Sequence, residues 1–420
     1  MTSRFISKLC KKVWVRAASF LLLALLTAYL ARVLSPYLPK DFAFQAGADS
    51  VAALLKVLTS SMLAVTTFSL SIAVFAFATA AGSATPRATV LLQEDRTTQN
   101  VLATFLGAFL FGLVGLISLY AKIYDASGKI VVFLFTVVVI GLVVITLISW
   151  INHLMQFGRM DDTLSRVEEA ATAALRAHLD NPYLGGQSII GAAPRRGIDI
   201  RAVETGYVQY IDMEALHKCA EKLDTQIYVR CLPGQFMSCG EVLLSLEFVA
   251  VTESQEAAMR RAFTIGSRRT FESDPRFGLI VLSEIASKAL SPAVNDPGTA
   301  ISILGRFVRI LSHWHERTDV DVDYKRLYIS SITVNDVIED AFRPIGRDGA
   351  SLVEVQIRLQ KALLSLSRIA PEVFANSASQ MSLEALERAE ATLVLKSDLK
   401  SIRAIACLIQ PLVNTSSAFR

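Results

Sequence analysis

The sequence predicts an integral membrane protein: four transmembrane helices followed by a cytoplasmic α+β domain that becomes mostly helical toward its C-terminus. Three observations predict this. Of 420 residues 52% are hydrophobic and 19% charged, with a mean hydropathy of +0.44, too apolar for an ordinary soluble chain and too polar for one wholly in lipid. The long uncharged runs all lie before residue 160. The charges divide at the same place: residues 1–159 hold 13 Lys and Arg against 5 Asp and Glu, residues 160–420 hold 29 against 33. A positive excess beside apolar segments reads as a topology determinant rather than a phosphate-binding surface, so nucleic acid is not an expected partner.

The membrane part is expected over residues 1–158, with spans at about 15–34, 57–81, 99–121 and 130–152. Lys8, Lys11, Lys12 and Arg16 before an apolar run imitate a secretory signal. That run ends in Leu30-Ala31-Arg32-Val33, a poor cleavage site, which favours an uncleaved anchor. Lys56 and Arg87 bracket thirty uncharged residues, Arg96 and Lys122 twenty-five, and Lys129 and Arg159 twenty-nine. Each can cross a hydrocarbon core of ~30 Å as a helix, and none shows the alternation of a barrel strand. The five basic residues of the N-terminal flank place the start inside, and four crossings return the chain to the cytoplasm, where Arg159, Arg166 and Arg176 follow. Gly107, Gly112 and Gly115 in the third span lack GxxxG spacing and suit packing within one subunit.

The second span is the polar one. Residues 57–81 carry Thr59, Ser60, Ser61, Thr66, Thr67, Ser69, Ser71 and Thr79. At helical spacing Ser60, Thr67 and Ser71 form one stripe, with Thr59, Thr66 and Ser69 expected beside it. Two uses are open. Hydroxyls bond back to the carbonyl one turn earlier or join helices, which is their common use in membranes. Alternatively Thr59, Ser60, Thr66, Thr67 and Ser71 line an ion path in a homo-oligomer, with Phe68 or Phe75 as a dewetting constriction. Inside the spans at 57–81, 99–121 and 130–152 there is no Asp, Glu, Lys or Arg, and the first span holds only Arg16 and Arg32 close to its ends, which disfavours a coupled transporter.

The fourth span is expected to continue as a helical extension over 159–180, because Met160, Leu164, Val167, Ala171 and Ala174 keep an apolar seam, for docking or self-association. Asn181 to Gly197 reads as a linker. A small α/β subdomain is expected over 195–250, with a strand at Ile198–Ile211, a helix at Met213–Leu223, and strands at Gln226–Cys231 and Val242–Phe248 joined by a hairpin-like turn at Pro233-Gly234. That turn is similar to turns of small ligand-binding or cofactor-carrying β domains, including regulatory domains of potassium transport systems. It carries no lysine for lipoyl or biotinyl attachment, and a plain turn is the simpler reading.

Residues 251–420 read as mainly helical: Gln255–Phe263, Phe277–Leu290, Pro297–His313, Leu352–Ile369 and Leu383–Ala406, with one strand at Arg326–Val334. Ser291-Pro292 ends one helix; Asp296 is placed to cap the next, with Pro297 at its first position. The alternative is a cation or polar ligand held by Glu284, Ser291, Asn295 and Asp296. No metal or cofactor is expected: His153, His178, His217, His313 and His315 show no ligand spacing, and the five cysteines form no CxxC pair. With no Walker, GxSxG, GxGxxG or kinase signature, no enzyme class is supported. The polar residues nearest the membrane face, Arg87, Glu94, Asp95, Arg96, Asp161 and Asp162, have no spacing that prescribes chemistry.

Three stretches then stand together: SSMLAVTTFSLSIAVFAFATAAGSATPR with DRTTQNVLATFLGAF, GYVQYIDMEAL with LPGQFMSCGEVL, and FGLIVLSEIASKALSPAVNDPGTA. They resemble an uncharacterised bacterial family of predicted membrane proteins with a domain of unknown function (number twenty-two fifty-four), over roughly residues 10–350. Gln235 stands where that pattern has an acid and Ala293 where it often has glycine. The resemblance implies a bacterial protein of the same multi-pass organisation and no activity; the charges place both termini on the cytoplasmic side of the inner membrane. The expected partners are the lipid bilayer, further copies of the chain, and an ion or small ligand. The functions left open are an oligomeric channel gated by the cytoplasmic domain and a non-conducting membrane-anchored sensor or docking module.

Overall fold

A computed structural model describes residues 13–37, 48–93, 95–123, 125, 127–155, 157, 159–189, 197–247, 250–315 and 321–409. The basic residues Arg4, Lys8, Lys11 and Lys12, linker residues 190–196, Glu94 and Phe248 lie outside them. The chain divides into two compact units, residues 1–163 and 164–420.

The first unit contains four helices long and apolar enough to cross a membrane: α1 (Val13–Leu34), α2 (Ala48–Ser83), α4 (Arg96–Tyr120) and α5 (Gly128–Leu154), with a short α3 (Thr89–Gln93) between the second and third. The helix α4 packs along both α1 and α2 and also meets α5. Its glycines permit this: a side chain at Gly107 would collide with Phe20 of α1 and at Gly112 with Thr59 of α2, and one at Gly115 would press on Leu55. Leu55, Phe105 and Phe111 are fully buried there.

The fourth span and its extension are two helices rather than one. The span α5 stops at Leu154, and α6 (Met160–Asp180) starts afresh with Asp161 and Asp162 in its first turn, where the helix dipole favours acids. Between them Phe157 is buried against His153 (centroids 4.9 Å apart) and Phe77 (5.7 Å).

In the second unit the seam of α6 docks on the chain's own helices: Leu164, Val167 and Ala171 are buried, and Ala171 lies against Gly278 so closely that a methyl there would overlap it. A five-stranded sheet has the order β1 (Gln187–Ser188), β8 (Leu327–Ile329), β4 (Ile227–Val229), β6 (Val242–Glu247), β2 (Gly197–Arg201), and a three-stranded sheet the order β5 (Phe236–Met237), β3 (Gly206–Ile211), β7 (Phe263–Gly266). The first is parallel where β8 meets β1 and β4 and antiparallel elsewhere. The helices α7 (Met213–Leu223) and α8 (Glu253–Arg260) accompany the sheets, and Leu216, Ala220 and Met259 enter one core with Ile227, Val229 and Leu244.

Several expected elements divide. The strand over Ile198–Ile211 is two, β2 and β3, in different sheets, separated by exposed Val203, Glu204 and Thr205. The turn at Pro233-Gly234 is followed by β5, which leaves the β4–β6 pair and joins β3. The helix expected to reach Phe263 ends at Arg260, because Phe263 pairs with Ile211. The remaining helices are α9 (Phe277–Ala289), α10 (Pro297–Leu311), α11 (Val334–Asp348), α12 (Val353–Ile369), α13 (Pro371–Thr392) and α14 (Lys396–Ala406). The sequence reading has no counterpart to α11, which begins in a capping box of Thr333 and Asp336 and carries Pro344 inside.

Candidate functional site

On α2 the two expected hydroxyl stripes separate onto opposite sides. Successive residues turn by about 100° on a helix of 3.6 residues per turn. Leu58, Met62, Ser69, Ala73, Ala76 and Ala80 are buried, which fixes the inward direction. Thr59 and Thr66 are half-buried beside them, and Thr59 lies against Gly112, so these two face the subunit rather than any outward path. Ser60, Thr67 and Ser71 are exposed directly opposite, on a line with exposed Ala64, Ala78 and Gly82. Phe68 and Phe75, 67% and 73% exposed, flank that line on one side, and Leu63 and Leu70 on the other.

Each hydroxyl on the outward line donates to a carbonyl of its own helix: Ser60 to Val57 (3.2 Å), Thr67 to Ala64 (2.9 Å) and Ser71 to Thr67 (3.0 Å). Thr59 and Thr66 do the same, to Leu55 (2.7 Å) and Met62 (2.6 Å). Because a carbonyl only accepts, the hydroxyl hydrogens are committed inward and the outward oxygens present lone pairs. The outward line is therefore an acceptor surface.

A second polar feature lies where α4 begins and α5 ends. Asp95 caps α4 by accepting from the Thr98 amide (2.7 Å), and the same oxygen is 3.0 Å from His153 Nε2. Asp95 is 7% exposed, and the imidazole stacks on Trp150, itself 2% exposed, with centroids 5.7 Å apart. The sequence reading missed both: an aspartate ahead of an apolar run is a signal that marks such a cap, whereas its histidine partner, far along the chain, carried no local signal.

In the second unit the Asn-Asp-Pro corner is built as a cap. Asn295 has a left-handed φ of +51°, and the Asp296 amide donates to the Ala289 carbonyl (2.8 Å). Asp296 accepts from the Thr299 amide (3.1 Å) and hydroxyl (2.6 Å), and these bonds hold its carboxyl below the ordinary range. Ser291 donates to the Lys288 carbonyl (2.7 Å), while Glu284 is half-buried on α9 about two turns earlier. Both oxygens of Asp296 are thus engaged by α10.

The Pro-Gly turn has a partner that the sequence did not show. Gly234, at φ +89°, backs onto the carboxylate of Asp274, which is 2% exposed. Asp274 accepts from Arg269 Nε (2.6 Å) and Nη2 (3.0 Å) and from the amides of Arg276 (3.1 Å) and Phe277 (3.2 Å) at the start of α9. Elsewhere, burial raises the Glu168 carboxyl, but bonds from Arg309 and Arg306 outweigh it and hold it below the ordinary range. Burial pushes the Cys231 thiol up to about 12, so it stays protonated. Among the described residues no group of three or more His, Cys, Asp or Glu could hold a metal ion.

A sequence model described as "Predicted membrane protein (DUF2254)" matches residues 11–365. Uncharacterized proteins of Mycobacterium bovis and of two Mycobacterium tuberculosis strains are 22% identical over 275 residues, covering 62% of this chain and 52% of each relative. The chain thus spans about half the length of the curated relatives it matches. No solved structure matches it.

Proposed function

The chain belongs to the predicted membrane protein family DUF2254, and from that premise we propose that it forms a homo-oligomeric channel whose α2 helices gather round a shared axis. One observation carries the reading: the face of α2 turned away from its own subunit is its small and hydroxyl-bearing face. Alone in a bilayer, that face would meet hydrocarbon, where Ser60, Thr67 and Ser71 gain nothing. Round an axis, the same residues allow close approach of neighbouring helices and offer water and ions an acceptor surface. Lone pairs without free hydroxyl hydrogens suit cations better than anions. Phe68 and Phe75 flank the line, so a modest rotation of α2 exchanges oxygen for phenyl at the axis and supplies a dewetting gate.

In this reading the oligomer sits in a bacterial inner membrane with both termini cytoplasmic, the α+β unit biases the gate, and no catalytic step is assigned. The intrahelical bonding of the hydroxyls favours a second reading, a non-conducting anchor for a sensing or docking module, since none of them needs water. Conductance of purified protein in planar bilayers separates the two. Thr67→Leu and Ser71→Leu are expected to lower unit conductance and alter cation selectivity. A silent wild type, or variants that conduct identically, would overturn the channel reading.

A further inference from the structure

His153 lies at the end of α5 beside one carboxylate and two aromatic rings. Asp95 Oδ2 lies 3.0 Å from Nε2, a contact that becomes an ion pair on protonation of the imidazole. The Trp150 ring is stacked on the imidazole at 5.7 Å, and Phe157 lies tilted against it at 4.9 Å, both within cation–π range. Phe157 in turn meets Phe77 of α2 edge to face at 5.7 Å, in a small cluster with Ala76, Ala80 and Leu92. An unbroken line of contacts therefore runs from a titratable pair to the last turns of α2, just beyond the hydroxyl line.

We propose that the Asp95–His153 pair is a proton-binding site whose occupancy is transmitted to the second span through Phe157 and Phe77. Among the described residues, Asp95 is the carboxylate within ion-pair distance of the imidazole. From α4 come Asp95 and exposed Arg96; α3 and the last turns of α2 carry no charged residue, and α5 has none after Lys129. The adjoining segments of the same unit contribute Arg87, Arg159, Asp161 and Asp162. Protonation adds charge to a buried bond and draws Phe157 onto the ring, which fixes the Phe77 packing and holds α2 in one orientation. Loss of the proton leaves a weaker contact between the carboxylate and a neutral imidazole and releases those turns. The proton is the ligand; its supply is the solution on the side of the bilayer where α5 ends.

The consequence for conduction rests on the channel reading; the proton site itself does not. The test uses the full chain in phosphatidylcholine nanodiscs titrated over about pH 5 to 8, the window in which histidine changes charge. A protonated imidazole stacked on an indole quenches it, so Trp150 emission is expected to fall in a one-proton transition that His153→Gln abolishes. The signal is read in a Trp14→Phe, Trp314→Phe background or, if that background does not fold, as the wild-type minus His153→Gln difference. A nitroxide on Ala78→Cys, with Cys239 and Cys407 replaced, is expected to lose mobility over the same transition, and Phe157→Leu is expected to keep the Trp150 transition while losing the nitroxide response. Unchanging Trp150 emission, or a nitroxide that ignores pH while Trp150 titrates, overturns the proposal. A silent bilayer with both transitions intact sinks the channel reading and leaves this one standing, whereas pH-independent conduction without either transition does the reverse.

Discussion

Replacing Gly234 with alanine is expected to destabilise the second unit by about 3–5 kcal/mol, with two separable causes. An L-residue at φ +89° strains the backbone by about 1–2 kcal/mol. The added methyl also enters the Asp274 carboxylate: even Oδ1 would lie only 2.7 Å away, against an ordinary contact of about 3.5 Å. Oδ2 would lie nearer still, and a carboxylate that retreats by more than an ångström cannot keep its 2.6 and 3.0 Å bonds to Arg269 or its bonds to the first amides of α9. Breaking a buried, hydrogen-bonded pair typically costs about 3–5 kcal/mol, of which a displaced but intact pair forfeits a part. The assay is amide exchange on the full chain in detergent, reading the opening free energy of segments spanning 230–237 and 269–280 in a double-mutant cycle. With Asp274→Ala in place, Gly234→Ala should cost only its backbone strain, so the two substitutions should be coupled by about 2 kcal/mol. Additive costs, or a Gly234→Ala penalty below about 1 kcal/mol, would refute the account of this turn.

Two further outcomes are expected of the second unit. Burial pushes the His178 imidazole down from 6.5 to about 4, with its Nε2 3.1 Å from the Ser331 hydroxyl. A folded value below the unfolded one means that the unfolded chain binds more protons between the two, so this contribution is complete above about pH 6.5 and lost as pH falls toward about 4. The loss amounts to roughly 3 kcal/mol, and His178→Gln should remove that part of the pH dependence from urea titrations of the full chain. At the Asn-Asp-Pro corner, Asp296→Ala should lower stability by about 1 kcal/mol whereas Asp296→Asn, which can still cap, should stay near wild type. Equal losses in the two variants would point away from capping as the main role of that carboxylate.

The sequence by itself determined the four spans, because thirty uncharged residues between Lys56 and Arg87 admit no other backbone solution in lipid, and uncharged runs of that kind recur. It also determined α7, which runs from Met213 to Leu223, and the capping corner at Asp296, since helix ends are written in residues three or four apart. It marked the hydroxyls of α2 without saying which of them face out, because that requires knowing where α4 packs. Tertiary structure decided that Thr59 lies on Gly112 while Ser60, Thr67 and Ser71 face away, that the fourth span and its extension are separate helices, and that the strand after Gly197 divides between two sheets. It alone paired Asp95 with His153 and Gly234 with Asp274. Local elements follow from short-range periodicity and capping, whereas these pairings depend on chain segments that meet only when apolar faces are buried together, and no residue spacing encodes that meeting.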